Sequence, residues 1–138
     1  SLKIWQEFRN TFMEKKQIQT SQAPSAIGPY SQAIRIGEFL YTSGQIALNP
    51  ENMEMMCGKI EEETEWVLKN LEAILKADGM SFAHIIKTTV YLTDLGEFAR
   101  MNQVYEKFFG ETKPARACVQ VAALPKGAKV EIDAIAHF

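Results

Sequence analysis

Cysteine and histidine are scarce in this chain, with 2 of each among 138 residues. Cys57 and Cys118 stand in unlike contexts, and neither falls into metal-ligand spacing, so no metal site is expected and both read as free thiols in a reducing compartment. Positive charge is not in excess either. Lys and Arg number 15 against 17 Asp and Glu, a formal net charge of −2, which offers no footprint for nucleic acid or anionic lipid. No apolar run approaches the roughly 20 residues of a membrane span, and no secretory leader is recognisable, so the expected location is the cytoplasm. A phosphate loop, a dinucleotide glycine pattern and a nucleophile elbow are missing as well. Chemistry that needs those elements falls away, and no cofactor is expected.

What is present is an ordinary globular composition: 46% apolar and 23% charged residues over a length that suits one domain. Met13 looks like a natural start, and residues 1–12, SLKIWQEFRNTF, are read as an N-terminal extension derived from upstream sequence or appended for expression. Ile4, Trp5, Phe8 and Phe12 could still line one helical face of it and dock on a partner subunit. The single domain is then 13–138. Within it Ser31 to Ile36 and Phe39 to Ser43 alternate around Gly37-Glu38, a two-residue hairpin with glycine first. Pro50 to Gly58 has no period and reads as a surface loop whose methionines fill gaps or cover a neighbour. Ile60 to Ala77 carries Ile60, Val67, Leu68, Leu71, Ile74 and Leu75 at helical spacing and stops at Asp78-Gly79. Ile86 to Leu92 is a β-branched strand. Asp94 caps a second helix with Phe98, Met101, Tyr105, Phe108 and Phe109 on its apolar face and Gly110 at its end. The order ββαβαββ gives an α+β fold with two helices on one face of a mixed sheet. The other face stays bare in a monomer, so a homo-oligomer is expected.

Pro114 to Ala136 holds the residues most suggestive of chemistry. Period-2 alternation puts Ala117, Val119, Val121 and Ala123 on one face and Arg116, Cys118 and Gln120 on the other. After a turn at Leu124-Pro125-Lys126-Gly127, it puts Val130, Ile132, Ala134 and Ala136 opposite Lys129, Glu131 and Asp133. A guanidinium near the middle of a sheet needs an anion for its fork of donors, and that anion is either an internal acid such as Glu131 or Asp133, or the carboxylate of a ligand. A lone strand cysteine is usually a small buried hydrophobe. His84 and His137 are isolated and read as capping or surface residues rather than general bases, and Lys87 and Lys129 point to solvent or to a carboxylate. Two glycine-bounded loops, Ile27-Gly28-Pro29-Tyr30 and Thr42-Ser43-Gly44-Gln45, suit contact with a small ligand, although the same residues could serve only backbone geometry and core packing.

Together IGPYSQA from Ile27, YTSGQIALNP from Tyr41, KTTVYLTDL from Lys87 and the whole of Pro114 to Ala136 resemble, in order, the motifs of the RidA family, also called the YjgF family. The resemblance implies a chorismate mutase-like fold assembling as a homotrimer, with a ligand cleft at each subunit interface. It also implies metabolite damage control: hydrolytic deamination of reactive enamines and imines such as 2-aminoacrylate and 2-aminocrotonate. Pyridoxal-phosphate dehydratases release these from serine and threonine, and the products are a 2-keto acid and ammonia. On that resemblance Arg116 clamps the substrate carboxylate, while Glu131, helped by the main-chain carbonyl of Cys118, orients the water. Tyr30, Ser43 and Gly44 complete the substrate site. Asp133 stands where many members carry glutamate, and the loop over 51–58 departs from the shorter family pattern. Two other activities attach to the family: a ligand-binding regulator or chaperone-like partner without turnover, and a ribonuclease, which the acidic charge balance and the absence of a histidine pair disfavour.

Overall fold

The computed structural model describes the backbone of residues 1–138, with side chains described outside 11–13. Three α-helices, α1 (Leu2–Met13), α2 (Ile60–Ala77) and α3 (Phe98–Phe109), accompany six strands: β1 (Lys15–Ile18), β2 (Ala33–Ile36), β3 (Phe39–Thr42), β4 (Ile85–Leu92), β5 (Ala115–Gln120) and β6 (Val130–His137). The strands form one mixed sheet in the order β1-β2-β3-β6-β4-β5. Neighbours run antiparallel except β4 and β5. A parallel pair needs a crossover, and α3 provides it.

The hairpin, α2 and β6 fold as their patterns dictate. Ile36 faces Phe39 across the β2–β3 turn, where Gly37 takes φ 57°, a value glycine adopts without a Cβ penalty. Helix α2 begins with three glutamates in its first turn, matching the positive end of the helix dipole. It ends where the N–H groups of Gly79 and Met80 return to the carbonyls of Lys76 and Leu75. Its six apolar stripe residues are all fully buried, and they meet Val130, Ile132, Ala134 and Ala136 of β6 in one core with Met101, Tyr105 and Phe109 of α3. Met53 and Met55 of the 50–58 loop pack against buried residues, filling gaps as expected.

The structure adds one strand, corrects two sequence-based expectations and decides which face of β5 turns inward. Strand β1 was not foreseen, because KKQI lacks both alternation and β-branched density; its register on β2, Lys15 opposite Ile36, supplies the order. Asp94 caps a short 3₁₀ turn, Leu95–Glu97, by accepting from the Gly96 N–H at 2.8 Å, and α3 starts only after it. Arg116 lies not near the middle of the sheet but on its edge strand, because β4 separates β5 from β6. The faces of β5 are also reversed from the usual apolar-in rule. Arg116 and Cys118 pair in register with Thr88 and Val90, whose side chains face the helices, whereas Ala117 and Val119 pair with Thr89 and Tyr91 on the open face. That face also presents Phe39 and Tyr41, which with Val119 are 39–45% exposed.

Helix α1 joins none of this core among the described residues. Its Ile4, Trp5 and Phe8 are exposed, with Trp5 and Phe8 edge-to-face at 6.3 Å; Phe12 lies outside the described side chains.

Candidate active site

Arg116, Tyr30, Gly44 and Glu131 divide between two clefts on opposite faces of the sheet, and Ser43 and Cys118 line neither. The first, of about 680 Å³, lies beside the edge strand and is lined by Arg116 with Asn102, Tyr105, Glu106 and Lys113 among others. Arg116 is exposed, and among the described residues neither Glu131 nor Asp133 pairs with it. Its Nη1 donates to the Oδ1 of Asn102 at 2.6 Å, and its guanidinium carbon stands 4.7 Å from the ring centre of Tyr105 and 5.3 Å from that of Phe98. These contacts orient the guanidinium without neutralising it. Cys118, two residues on, is half-buried against the core, and burial pushes its thiol pKa up more strongly than the nearby Arg116 lowers it. A thiol with a raised pKa is mostly in its weakly nucleophilic protonated form near neutral pH.

The second cleft, of about 370 Å³, collects Tyr30, Gly44 and Glu131 with Ser25, Gln32, Gln45 and Lys126. Burial, and secondarily the Asp133 carboxylate on the same face of β6, raises the Glu131 pKa above the usual glutamate range. The carboxyl can sit there because residue 44 has no side chain: a Cβ on Gly44 would lie 2.8 Å from the Cδ and Oε2 of Glu131. Tyr30 is 53% exposed, and its ring reaches back over Gly28, whose φ of 129° turns the chain there. It is therefore presented rather than packed in the core. Ser43, by contrast, serves the strand end. Its hydroxyl donates to the Ser31 carbonyl at 2.5 Å, and its N–H bonds the carbonyl of Gln32 at 2.9 Å.

Supporting residues escaped the sequence reading because nothing local marks them. Gln32, almost fully buried, takes the Thr20 N–H on its Oε1 at 2.7 Å and gives its amide to the carbonyls of Thr20, Ala23 and Pro24, which fixes the wall that carries Ser25. Glu63, fully buried on α2, accepts the Lys129 N–H at 3.0 Å, and Lys129 Nζ holds the Gly58 carbonyl at 2.7 Å, so the start of β6 is tied down two residues before Glu131. Asn102 could have been found. It lies four residues after Phe98 and three before Tyr105, a polar side chain on the apolar stripe of an amphipathic helix. The histidines lie elsewhere: His84 Nδ1 accepts the Ser81 N–H at 3.0 Å and His137 Nε2 is 3.3 Å from Glu38. Among the described residues no group of His, Cys, Asp and Glu is placed to hold a metal, and no helix is long and apolar enough to cross a membrane.

Residues 20–138 match the family model described as Endoribonuclease L-PSP, the model of the RidA (YjgF) family. This chain belongs to the RidA family. Protein DfrA of Myxococcus xanthus is 53% identical over 126 residues, spanning 90% of this chain and 96% of that one. The 2-iminobutanoate/2-iminopropanoate deaminase of Mus musculus is 48% identical over 122 residues, 88% of this chain and 90% of that one. Among solved structures, that of E. coli TdcF with bound serine superposes with a TM-score of 0.84 at 46% identity, covering 89% of this chain and 98% of that one. The fold is accordingly the chorismate mutase-like α+β fold of the RidA family.

Proposed function

We propose that this RidA-family chain hydrolyses small 2-imino acids, reached from 2-aminoacrylate and 2-aminocrotonate, to 2-keto acids and ammonia. The observation that carries the reading is the state of Arg116, a guanidinium oriented in a cleft by an amide and two aromatic rings and, among the described residues, left without an internal carboxylate. Such a group suits the carboxylate of an imino acid, which it would take in two parallel hydrogen bonds. The mammalian relative named as a 2-imino acid deaminase and the serine-bound relative point to ligands with that group.

The reaction needs little else. Tautomerisation of the enamine gives an imine whose protonated nitrogen makes C2 electrophilic. Water adds to C2 while Glu131 accepts its proton, and the carbinolamine then expels ammonia as the C–N bond breaks and the carbonyl forms. A carboxylate whose pKa is raised by burial is a better acceptor than an ordinary one, and it can return the proton to the leaving amine. Charge that develops beside Arg116 meets a guanidinium already in place, so part of its contribution is electrostatic preorganisation.

Arg116 and Glu131 sit on opposite faces of one sheet, so one chain cannot supply both to one substrate. The reading therefore includes a homotrimer in which the cleft with Arg116 and the Cys118 main chain meets Glu131 and Tyr30 of a neighbouring copy. The exposed apolar face through Phe39, Tyr41 and Val119 supports such an assembly. We place the activity in the cytoplasm beside pyridoxal-phosphate dehydratases, with neither nucleic acid nor membrane as partner.

The test couples a threonine or serine dehydratase to the protein and follows keto-acid appearance together with semicarbazide trapping of the intermediate. Trapping should fall as protein is added. Unchanged trapping over a broad concentration range would leave a ligand-binding regulator as the better reading.

A further inference from the structure

The Arg116 contacts include one device that the proposed reaction does not by itself require. Tyr105 is nearly fully buried on α3, and its Oη lies 2.7 Å from the Oγ1 of Thr88, which is fully buried on β4 directly opposite Arg116 in the parallel register. On its ring Tyr105 also stacks with Phe109, centroids 4.4 Å apart at 30°. The phenol is thus fixed at its tip by a hydroxyl and held by a neighbouring ring, with the guanidinium carbon of Arg116 4.7 Å from its centre.

We propose that Tyr105, pinned by Thr88, is a positioning residue that sets the Arg116 guanidinium for an incoming carboxylate by holding its face and leaving free the donors that Asn102 does not take. This rests on the reading of Arg116 as the carboxylate clamp. The physical reason lies in the two directions of a guanidinium. A carboxylate partner binds its edge and would occupy the fork that a substrate needs, whereas an aromatic ring engages the π face. Asn102 takes one Nη1 N–H with an uncharged oxygen, so the net positive charge is kept. A long side chain held in one orientation before binding also does not lose that freedom when the substrate arrives. Burial raises the pKa of Tyr105, so the phenol stays neutral and the shelf adds no competing anion near neutral pH.

The experiment uses the full chain with Tyr105→Leu, which removes the ring, and Tyr105→Phe, which keeps the ring and removes the bond to Thr88. Three quantities are read: the Arg116 Nε–Hε resonance in a ¹H–¹⁵N spectrum, assigned by its loss in Arg116→Lys; the affinity for 2-oxobutanoate by calorimetry; and KM against kcat in the coupled assay. In the leucine variant the Arg116 resonance should lose its ring-current shift, 2-oxobutanoate affinity should fall about 10-fold, and KM should rise by a similar factor with kcat less affected. The phenylalanine variant should keep most of the ring-current shift and lose about 3-fold in affinity. If the leucine variant does not fold, the phenylalanine variant decides on its affinity. An unmoved Arg116 resonance in the leucine variant, or a lowered melting temperature with affinity and KM unchanged in whichever variant folds, overturns the proposal. If the wild type neither turns over nor binds 2-oxobutanoate, the deaminase reading fails, and the Arg116 resonance alone then decides the positioning role.

Discussion

At Arg116 the charge stays available because the neighbouring acceptor, Asn102, is an amide and the remaining contacts are aromatic. Removing the side chain therefore strands no buried ion, and the vacated cleft opens to water. Arg116→Ala should lower deamination by roughly 100-fold or more while costing about 1 kcal/mol or less of stability. Lysine should not restore the rate, since a point charge cannot reproduce the planar fork. Thermal unfolding and the coupled assay on the same variants check this; a strongly destabilised but active alanine variant would reverse the assignment. Glu131 makes the opposite use of its surroundings. Burial first, and the Asp133 carboxylate second, hold its pKa above the ordinary value, so activity should rise with pH through that raised pKa as the acceptor form appears. Asp133→Asn removes one of the two causes and should move this acid limb to lower pH in a pH–rate profile. Linkage gives the stability sign. A carboxyl with a raised folded pKa binds its proton more tightly when folded, so its contribution is full below the ordinary glutamate pKa and is lost as pH rises through the folded value. Glu131→Gln should accordingly gain stability relative to wild type between mildly acidic and neutral pH while losing activity, as urea melts at two pH values would show.

Among the elements, the approach of the β3 end to β6 sets the acidic half of the site. Gln45 and Ile132 exchange backbone hydrogen bonds at 2.9 and 3.1 Å, which brings Gly44 against the Glu131 carboxyl. Gly44→Ala should push that carboxyl aside, since the added Cβ would stand 2.8 Å from it and the end of a side chain yields more readily than a bonded backbone. Activity should fall about 10-fold or more with a change in melting temperature of only a few degrees. Full activity in the alanine variant would show that the carboxyl position does not matter. The helices contribute through the same sheet. Glu63 of α2 secures the β6 start through the Lys129 N–H, and α3 supplies the surface on which Arg116 rests.

For the whole molecule, the proposed reaction has copies associating through the open sheet face, so that the two clefts complete one another. Light scattering on residues 13–138 should give the mass of a trimer at micromolar concentration. Val119→Glu, a charge placed on the exposed apolar face of the edge strand, should dissociate the assembly and abolish activity together. A monomer with full activity would remove the inter-subunit site.

The sequence by itself determined what depends on local periodicity and turn chemistry. Helix α2 from Ile60 to Ala77, the glycine-first hairpin and the buried face of β6 follow from apolar spacing and from residues that can turn the chain. Of the residues that the RidA-family motifs singled out, Arg116 lines one cleft and Tyr30, Gly44 and Glu131 the other, whereas Ser43 and Cys118 line neither. Tertiary structure decided the rest, because strand order is a long-range choice that no local pattern encodes. By pairing β5 with β4 alone it moved Arg116 to an edge, separated it from Glu131, and turned Ala117 and Val119 outward against the usual apolar-in rule. It also gave Asn102, Tyr105 and Thr88 their meaning. Their bonds to each other and to Arg116 join residues 14 and 17 positions apart, and only packing α3 on β4 and β5 brings them within reach.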